Sequence, residues 1–252
     1  MLSSACFTTS DRWREHSTSN VKVAIHQPQY FPWPPYVHKV MSADIFVYLD
    51  TVQFSKNGLQ NRNQIKSGQG ALWLTLPVRH EFGQTIRQTQ IADPRAATRH
   101  WKTVAANYSH SPGFRRWNQE LRDLLHSDAT SLAEIAIAST EWMLEKLNVK
   151  TKRIRASELD GCEGQASKLV ASICAELHAQ TYLTGTGALA YLDQADFKAI
   201  SCDVSVQQWH PFSYAQQWDG FVPDLSTLDL LLNCPDEASN MIENAGSWKS
   251  LA

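Results

Sequence analysis

Two polar segments near the amino end carry most of the side chains able to do chemistry. The first is His26-Gln27-Pro28-Gln29-Tyr30-Phe31-Pro32-Trp33. It sets an imidazole, which exchanges a proton near neutral pH, beside an amide in a loop whose prolines fix φ and favour extended neighbours. Tyr30 and Trp33 are candidate pocket walls. The second segment runs from Asp50 to Lys66. After Asp50 it holds three cations, Lys56, Arg62 and Lys66, and no acid. Arg62 suits a bidentate grip on phosphate or carboxylate, and the amides of Gln53, Asn57, Asn61 and Asn63 suit sugar hydroxyls or a base edge. The alternative for this stretch is a solvated loop with Asn and Gly turns. Thr184-Gly185-Thr186-Gly187 could cradle an anion on backbone N–H groups, or be a plain turn. The patterns His210-Pro211-Phe212 and Ser226-Thr227-Leu228-Asp229 are weaker, the last reading as a helix start with its acid at the positive end.

The elements that must position these groups are legible from periodicity. Val21 to Ile25 is a β-branched run that fits a buried strand, and Ile45 to Leu49 a second. A short helix is expected from Tyr36 to Ala43. Further strands are expected at Leu72–Leu76, Ile86–Ile91, Arg153–Ala156, Gln180–Leu183 and Val204–Gln208. Ser131 and Glu134 have the spacing of a capping box opening a helix towards Leu147. Ala166, Leu169, Val170, Ile173, Cys174 and Leu177 form a helical stripe, and helices are expected from Ser226 onward. Strands alternating with helices predict an α/β fold: one domain with a doubly wound, mainly parallel sheet and helices on both faces. The first two strands should be adjacent, parallel and interior. In such sheets ligands bind outside the carboxyl ends of strands. His26, Asp50, Thr184-Gly185 and Trp209-His210 each follow a predicted strand, so His26 and Asp50 are expected to face one cavity.

Composition narrows the class. The chain has 252 residues, 43% of them hydrophobic, enough for one domain with a full core. The charge balance, 23 − 25 = −2, supplies no footprint for tight duplex DNA binding. Five scattered cysteines without a metal-ligand pattern fit reduced thiols in the cytoplasm, and Cys174 falls on a core stripe. No apolar run is long enough to span a membrane. Residues 1–20, rich in Ser and Thr, read as a disordered leader, with the folded domain at 21–252. No cofactor can be named from these residues, and none of His26, His38, Asp50 and His210 has a close metal-ligand spacing to another.

Taken in order, these segments resemble the WbqC-like family. The carriers are Val23 through Trp33, Tyr36-x-His38-Lys39, Ala43-Asp44-x-Phe46-x-x-Leu49-Asp50, Val52 through Asn57, Asn61-Arg62-Asn63-x-Ile65-Lys66, Trp73-Leu74-Thr75-x-Pro77-Val78, Thr181-Tyr182-Leu183 and Tyr191-Leu192-Asp193. Ser226-x-Leu228-Asp229-Leu230-Leu231-x-Asn233 closes the set. Pro34-Pro35 stand where relatives usually have a small or flexible pair, and Thr184-Gly185-Thr186-Gly187 varies the usual Ser-Gly form. The resemblance implies a bacterial protein of surface-glycan or O-antigen synthesis, with transfer of an acyl or aminoacyl (for some members glycyl) group to an amino sugar. The catalytic candidates are then His26 as base, Asp50 as its orienting partner, and His38. The last is the one position matching the paired histidines of adenylate-forming pantothenate synthetases, a fainter likeness in which Pro35 occupies the first histidine's place. Substrate would be held by Gln27, Tyr30, Trp33, Tyr36, Lys39, Gln53, Lys56, Asn57, Asn61, Arg62, Asn63, Lys66, Thr184 and Gly185. The expected partner is a small anionic molecule such as a sugar nucleotide or acyl donor, with a charged tRNA as another donor. A non-catalytic binding protein for a glycan precursor and a metal-dependent enzyme are the alternatives.

Overall fold

The computed structural model describes residues 20–251; the stretch read as a leader lies outside them except for Asn20. In chain order the elements are β1 (Lys22–His26), α1 (Pro34–Ser42), β2 (Ile45–Tyr48), β3 (Arg62–Ser67), β4 (Gly70–Thr75), β5 (Val78–Arg79) and β6 (Gln90–Ile91). Then come α2 (Arg95–Tyr108), α3 (Pro112–Leu125), α4 (Leu132–Lys146), β7 (Lys152–Arg155), α5 (Ala166–Glu176), β8 (Thr181–Thr184) and α6 (Gln194–Lys198). The chain closes with β9 (Asp203–Trp209), α7 (Thr227–Asn233), α8 (Ala238–Asn244) and β10 (Gly246–Ser250).

Six strands form the main sheet in the order β10-β9-β8-β1-β2-β7, all parallel except the edge strand β10. The chain runs outward through β1, β2 and β7, then returns across the sheet to lay β8 against the free side of β1. That reversal between β1 and β8 is the topological switch point of a doubly wound sheet, where ligands bind in the crevice beyond the strand ends. As expected, β1 and β2 are adjacent, parallel and interior, with Val23 opposite Ile45. Alternation of side chains across the pleat explains the two cores. Ala24, Phe46, Tyr48 and Leu183 face a core built with α1, α2, α3, α4, α7 and α8. Val23, Ile25, Val47 and Tyr182 face the other, built with α5 and α6, and Cys174 lies within it. The sheet therefore has helices on both faces, in an arrangement compatible with a single domain.

Several expectations need correction. The segment 86–91 is a 3-10 turn, Ile86–Gln88, followed by the two-residue β6, because the Thr85 and Gln88 side chains close the turn locally. At α4 the Ser131 side chain makes no cap hydrogen bond. Glu134 instead reaches Arg155 of β7, 2.5 Å away, so a tertiary ion pair displaces the local box. The stretch around Arg62 to Lys66, readable as a loop, is strand β3 of an antiparallel hairpin with β4. β10 carries no strong period-2 signal; its first residue is instead set by packing. A Cβ at Gly246 would overlap the His38 imidazole, so only glycine lets this edge approach α1.

Candidate functional site

A cavity of about 640 Å³ opens at the switch point. Its walls come from the carboxyl ends of three parallel strands and from α1: His26 and Gln27 after β1, Thr184 to Ala188 after β8, Gln207 to Trp209 of β9, and Trp33, Tyr36 and Lys39 around the start of α1. Of the residues singled out from the sequence, His26, Gln27, Trp33, Tyr36, Lys39, Thr184 and Gly185 meet here.

The His26 imidazole is packed edge-on against Tyr36, with ring centroids 4.8 Å apart. Its Nδ1 lies 3.0 Å from the Gln27 carbonyl. A carbonyl only accepts, so Nδ1 carries the proton and Nε2 keeps its lone pair. Burial, reinforced by the charge of Lys39, lowers the His26 pKa to about 3, so the ring stays neutral at physiological pH. Lys39 is only 7% exposed. Burial lowers its pKa to about 7, and its Nζ sits over the Tyr36 ring at 5.9 Å and faces the Gly185 backbone. No carboxylate pairs with it among the described residues. An ammonium desolvated without a partner is costly and gains from an incoming anion. The sequence marked Lys39 through resemblance alone; its lack of a partner depends on folding. Tyr182, Tyr191, Gln29, Gln207 and Gln208 complete the walls and went unmarked as site residues, although Gln207 and Gln208 do end a predicted strand.

The other candidates lie elsewhere, most of them bonded to another part of the protein. Asp50, 1% exposed, does not line the cavity. Its carboxylate accepts from the Ser157 N–H at 3.0 Å and the Ser157 hydroxyl at 2.7 Å, tying the end of β2 to the turn after β7. His38 points to the far side of α1, where it hydrogen-bonds Gln207 at 2.8 Å and stacks on Trp248 of β10. Tyr30 is buried with its hydroxyl 2.9 Å from His100 Nδ1.

The cationic amide segment is occupied in the same way. Asn63 Nδ2 donates to the Phe31 carbonyl at 2.8 Å, and the Ser226 hydroxyl donates to that carbonyl at 2.6 Å. Phe31 has φ of 45°, a left-handed conformation unfavourable for a bulky residue, and these bonds with Ser139 at its N–H hold it there. Asn61 donates to the Leu76 carbonyl. Arg62 stacks on Trp73 at 4.5 Å and donates to the Asn57 carbonyl. Lys66, 1% exposed, donates to the carbonyls of Trp218 and Gly220. Gln53, Lys56 and Asn57 are exposed and do not line the cavity. Asp229 is buried beneath this region and accepts from Tyr108, Tyr214 and Gln216, a larger role than favouring a helix start.

Among the described residues no three His, Cys, Asp or Glu side chains converge as a metal site would require, so His26, His38, Asp50 and His210 are not gathered. No helix there is long and apolar enough to cross a membrane.

A doubly wound α/β protein with a cavity at its switch point that holds His26, Gln27 and Lys39 is thus the class that fold and site define. Residues 27–241 match the WbqC-like protein family, and the chain belongs to that family. It is also similar to "Uncharacterized protein Rv1507c" of Mycobacterium tuberculosis (strain ATCC 25618 / H37Rv), 32% identical over 225 residues covering 88% of this chain and 97% of that one. No solved structure matches.

Proposed function

We propose that the switch-point cavity is the reaction site of a cytoplasmic acyl- or aminoacyl-transferring enzyme of bacterial surface-polysaccharide synthesis, with an amino sugar or similar amine as acceptor. The observation that carries this reading is the buried Lys39, without a carboxylate partner among the described residues, beside a neutral His26 in one cavity. An activated acyl donor carries an anion, and that anion would hold Lys39 in its charged form. A volume of about 640 Å³ is in the range of nucleotide-sized ligands.

Attack of the amine on the acyl carbon forms a C–N bond and charges the nitrogen, and the leaving group departs with the electron pair of the broken acyl bond. The amine proton must then be removed. His26 Nε2, with its lone pair left free by the Nδ1 bond to Gln27, would be its acceptor. Its low pKa makes it a weak base, sufficient only because the attacking nitrogen becomes strongly acidic once the C–N bond forms. That same low pKa favours the second reading, a protein that binds a glycan precursor without turnover.

Mass spectrometry of reactions pairing candidate acyl donors with amino sugars tests the proposal. Product formation by wild type, lost in Lys39→Met and at least a hundredfold slower in His26→Gln, is the expected result. Retention of turnover in both variants would place the chemistry elsewhere.

A further inference from the structure

A second cavity of about 330 Å³ adjoins the first and shares Trp33, Pro35 and Trp209 with it. The sign of its charge is opposite. Trp33, Trp209, Phe212, Tyr214 and Phe221 supply aromatic walls, and Asp224 supplies its one ionisable acid, with no lysine, arginine or histidine in the lining. Asp224 is exposed, and no side chain among the described residues pairs with its carboxylate. Aromatic faces carry negative quadrupole charge and attract cations, and an unpaired carboxylate adds to that field. Phosphates and carboxylates are repelled by the same groups.

The wall is held in advance. Residues 210–226 contain no helix or strand, yet buried Lys66 donates to the carbonyls of Trp218 and Gly220. Tyr214 and Gln216 are bound to Asp229 at 2.7 and 3.1 Å. Placing a buried lysine and a buried aspartate under an irregular segment fixes its shape before any ligand arrives, which lowers the entropy cost of binding.

From this we infer that the second cavity is a subsite for an organic ammonium ion, a ring or short chain bearing a protonated amine, held against the aromatic walls with its charge towards Asp224. This deepens the reading above and rests on it in one respect: the anionic donor occupies the Lys39 cavity. The two ligands would then meet along the shared Trp33–Trp209 wall, the ammonium giving up one proton to solvent as it leaves the Asp224 end and its neutral amine then attacking.

Titration calorimetry of the full chain with cyclohexylamine, cyclohexanol and cyclohexanecarboxylate tests the charge preference, with the methyl glycosides of glucosamine and N-acetylglucosamine as a ring-matched pair. The amines should bind about tenfold or more tightly than their neutral counterparts, and the carboxylate least. Asp224→Asn should remove that preference while leaving cyclohexanol binding unchanged, and Phe221→Ala, at an exposed position, should weaken both. Equal binding of amine and alcohol, or insensitivity to both substitutions, would overturn the subsite. Inorganic phosphate titrated against wild type and Lys39→Met separates the two proposals. Loss of the lysine should abolish phosphate binding and leave amine binding intact. Phosphate binding that survives in Lys39→Met refutes the donor site and not this one; cyclohexanecarboxylate that still competes with the amines in that variant refutes this one.

Discussion

Lys39 and Lys66 are two buried lysines that the chain uses in opposite ways. Lys66 donates to two main-chain carbonyls and fastens an irregular segment. Lys39 has no acceptor among the described residues, sits over an aromatic ring and opens on a cavity. The contrast extends to their neighbourhoods. The segment from Asp50 to Lys66 is richer in amides and cations, yet its buried side chains, Asp50, Asn61, Asn63 and Lys66, are engaged in holding the backbone. The walls around Lys39 are poorer in charge and hold groups still available to a ligand. Density of polar residues therefore does not coincide with the cavity; buried polar groups left free to meet a ligand do.

The largest expected effect concerns the sign of each lysine's contribution to stability. Lys39→Met should abolish anion binding, and it should raise the thermal midpoint because it removes a desolvated charge. The folded pKa of about 7 lies below the ordinary 10.5, so the folded state releases its proton first. Relative to the unfolded chain, the wild type is then most stable above pH 10.5 and loses that advantage as pH falls to about 7. The gain from Lys39→Met should amount to a few kcal/mol below pH 7 and shrink at higher pH, measured by thermal melts across that range. Lys66→Met should do the reverse, costing about 2–4 kcal/mol by orphaning its carbonyl partners. Similar losses of stability from both substitutions would erase the distinction.

Next in size is Asn63→Ala, which removes one support of the left-handed Phe31. A loss of about 1–3 kcal/mol is expected in denaturant titrations, with weaker ligand binding following from a loosened 27–33 loop. If binding falls while stability is untouched, Asn63 contacts ligand after all. Acid melts give a smaller effect. Burial lowers the pKa of His26 to about 3 and of His100 to about 4. Both contribute stability that is full above pH 6.5 and lost as pH falls through those values, so His26→Gln should be less acid-labile between pH 6.5 and 3. Lys56→Glu, fully outside the cavity, should change stability by less than about 0.5 kcal/mol and leave anion binding alone.

The sheet was readable from sequence because buried parallel strands are nearly all apolar. Val21–Ile25 and Ile45–Leu49 stand out for that reason, and polar residues just after them mark strand ends. Half of the candidate site was readable for the same cause: His26, Thr184 and Gly185 follow such strands. What the sequence did not reveal is that much of this polar cluster bonds within the protein and stands away from the cavity. Asp50 and Ser157 stand 107 positions apart and Lys66 and Trp218 stand 152 apart, and no local pattern announces such pairs. The Ser131–Glu134 box failed similarly, since Arg155 offered Glu134 a stronger partner than a backbone N–H.

The pairing of β1 with β8 has a kinetic meaning. The Val21 N–H reaches the Gln180 side chain across 159 positions, and Val23 lies opposite Tyr182 in the same ladder. Closing a loop of that length precedes any reward from the contacts it makes, and such non-local pairings are slow to form. A chain emerging from the ribosome can assemble β1, β2 and β7 long before β8 arrives. The crevice between β1 and β8 is therefore among the last features to exist, and a chain cut short before residue 181 would lack it however well its first half had folded.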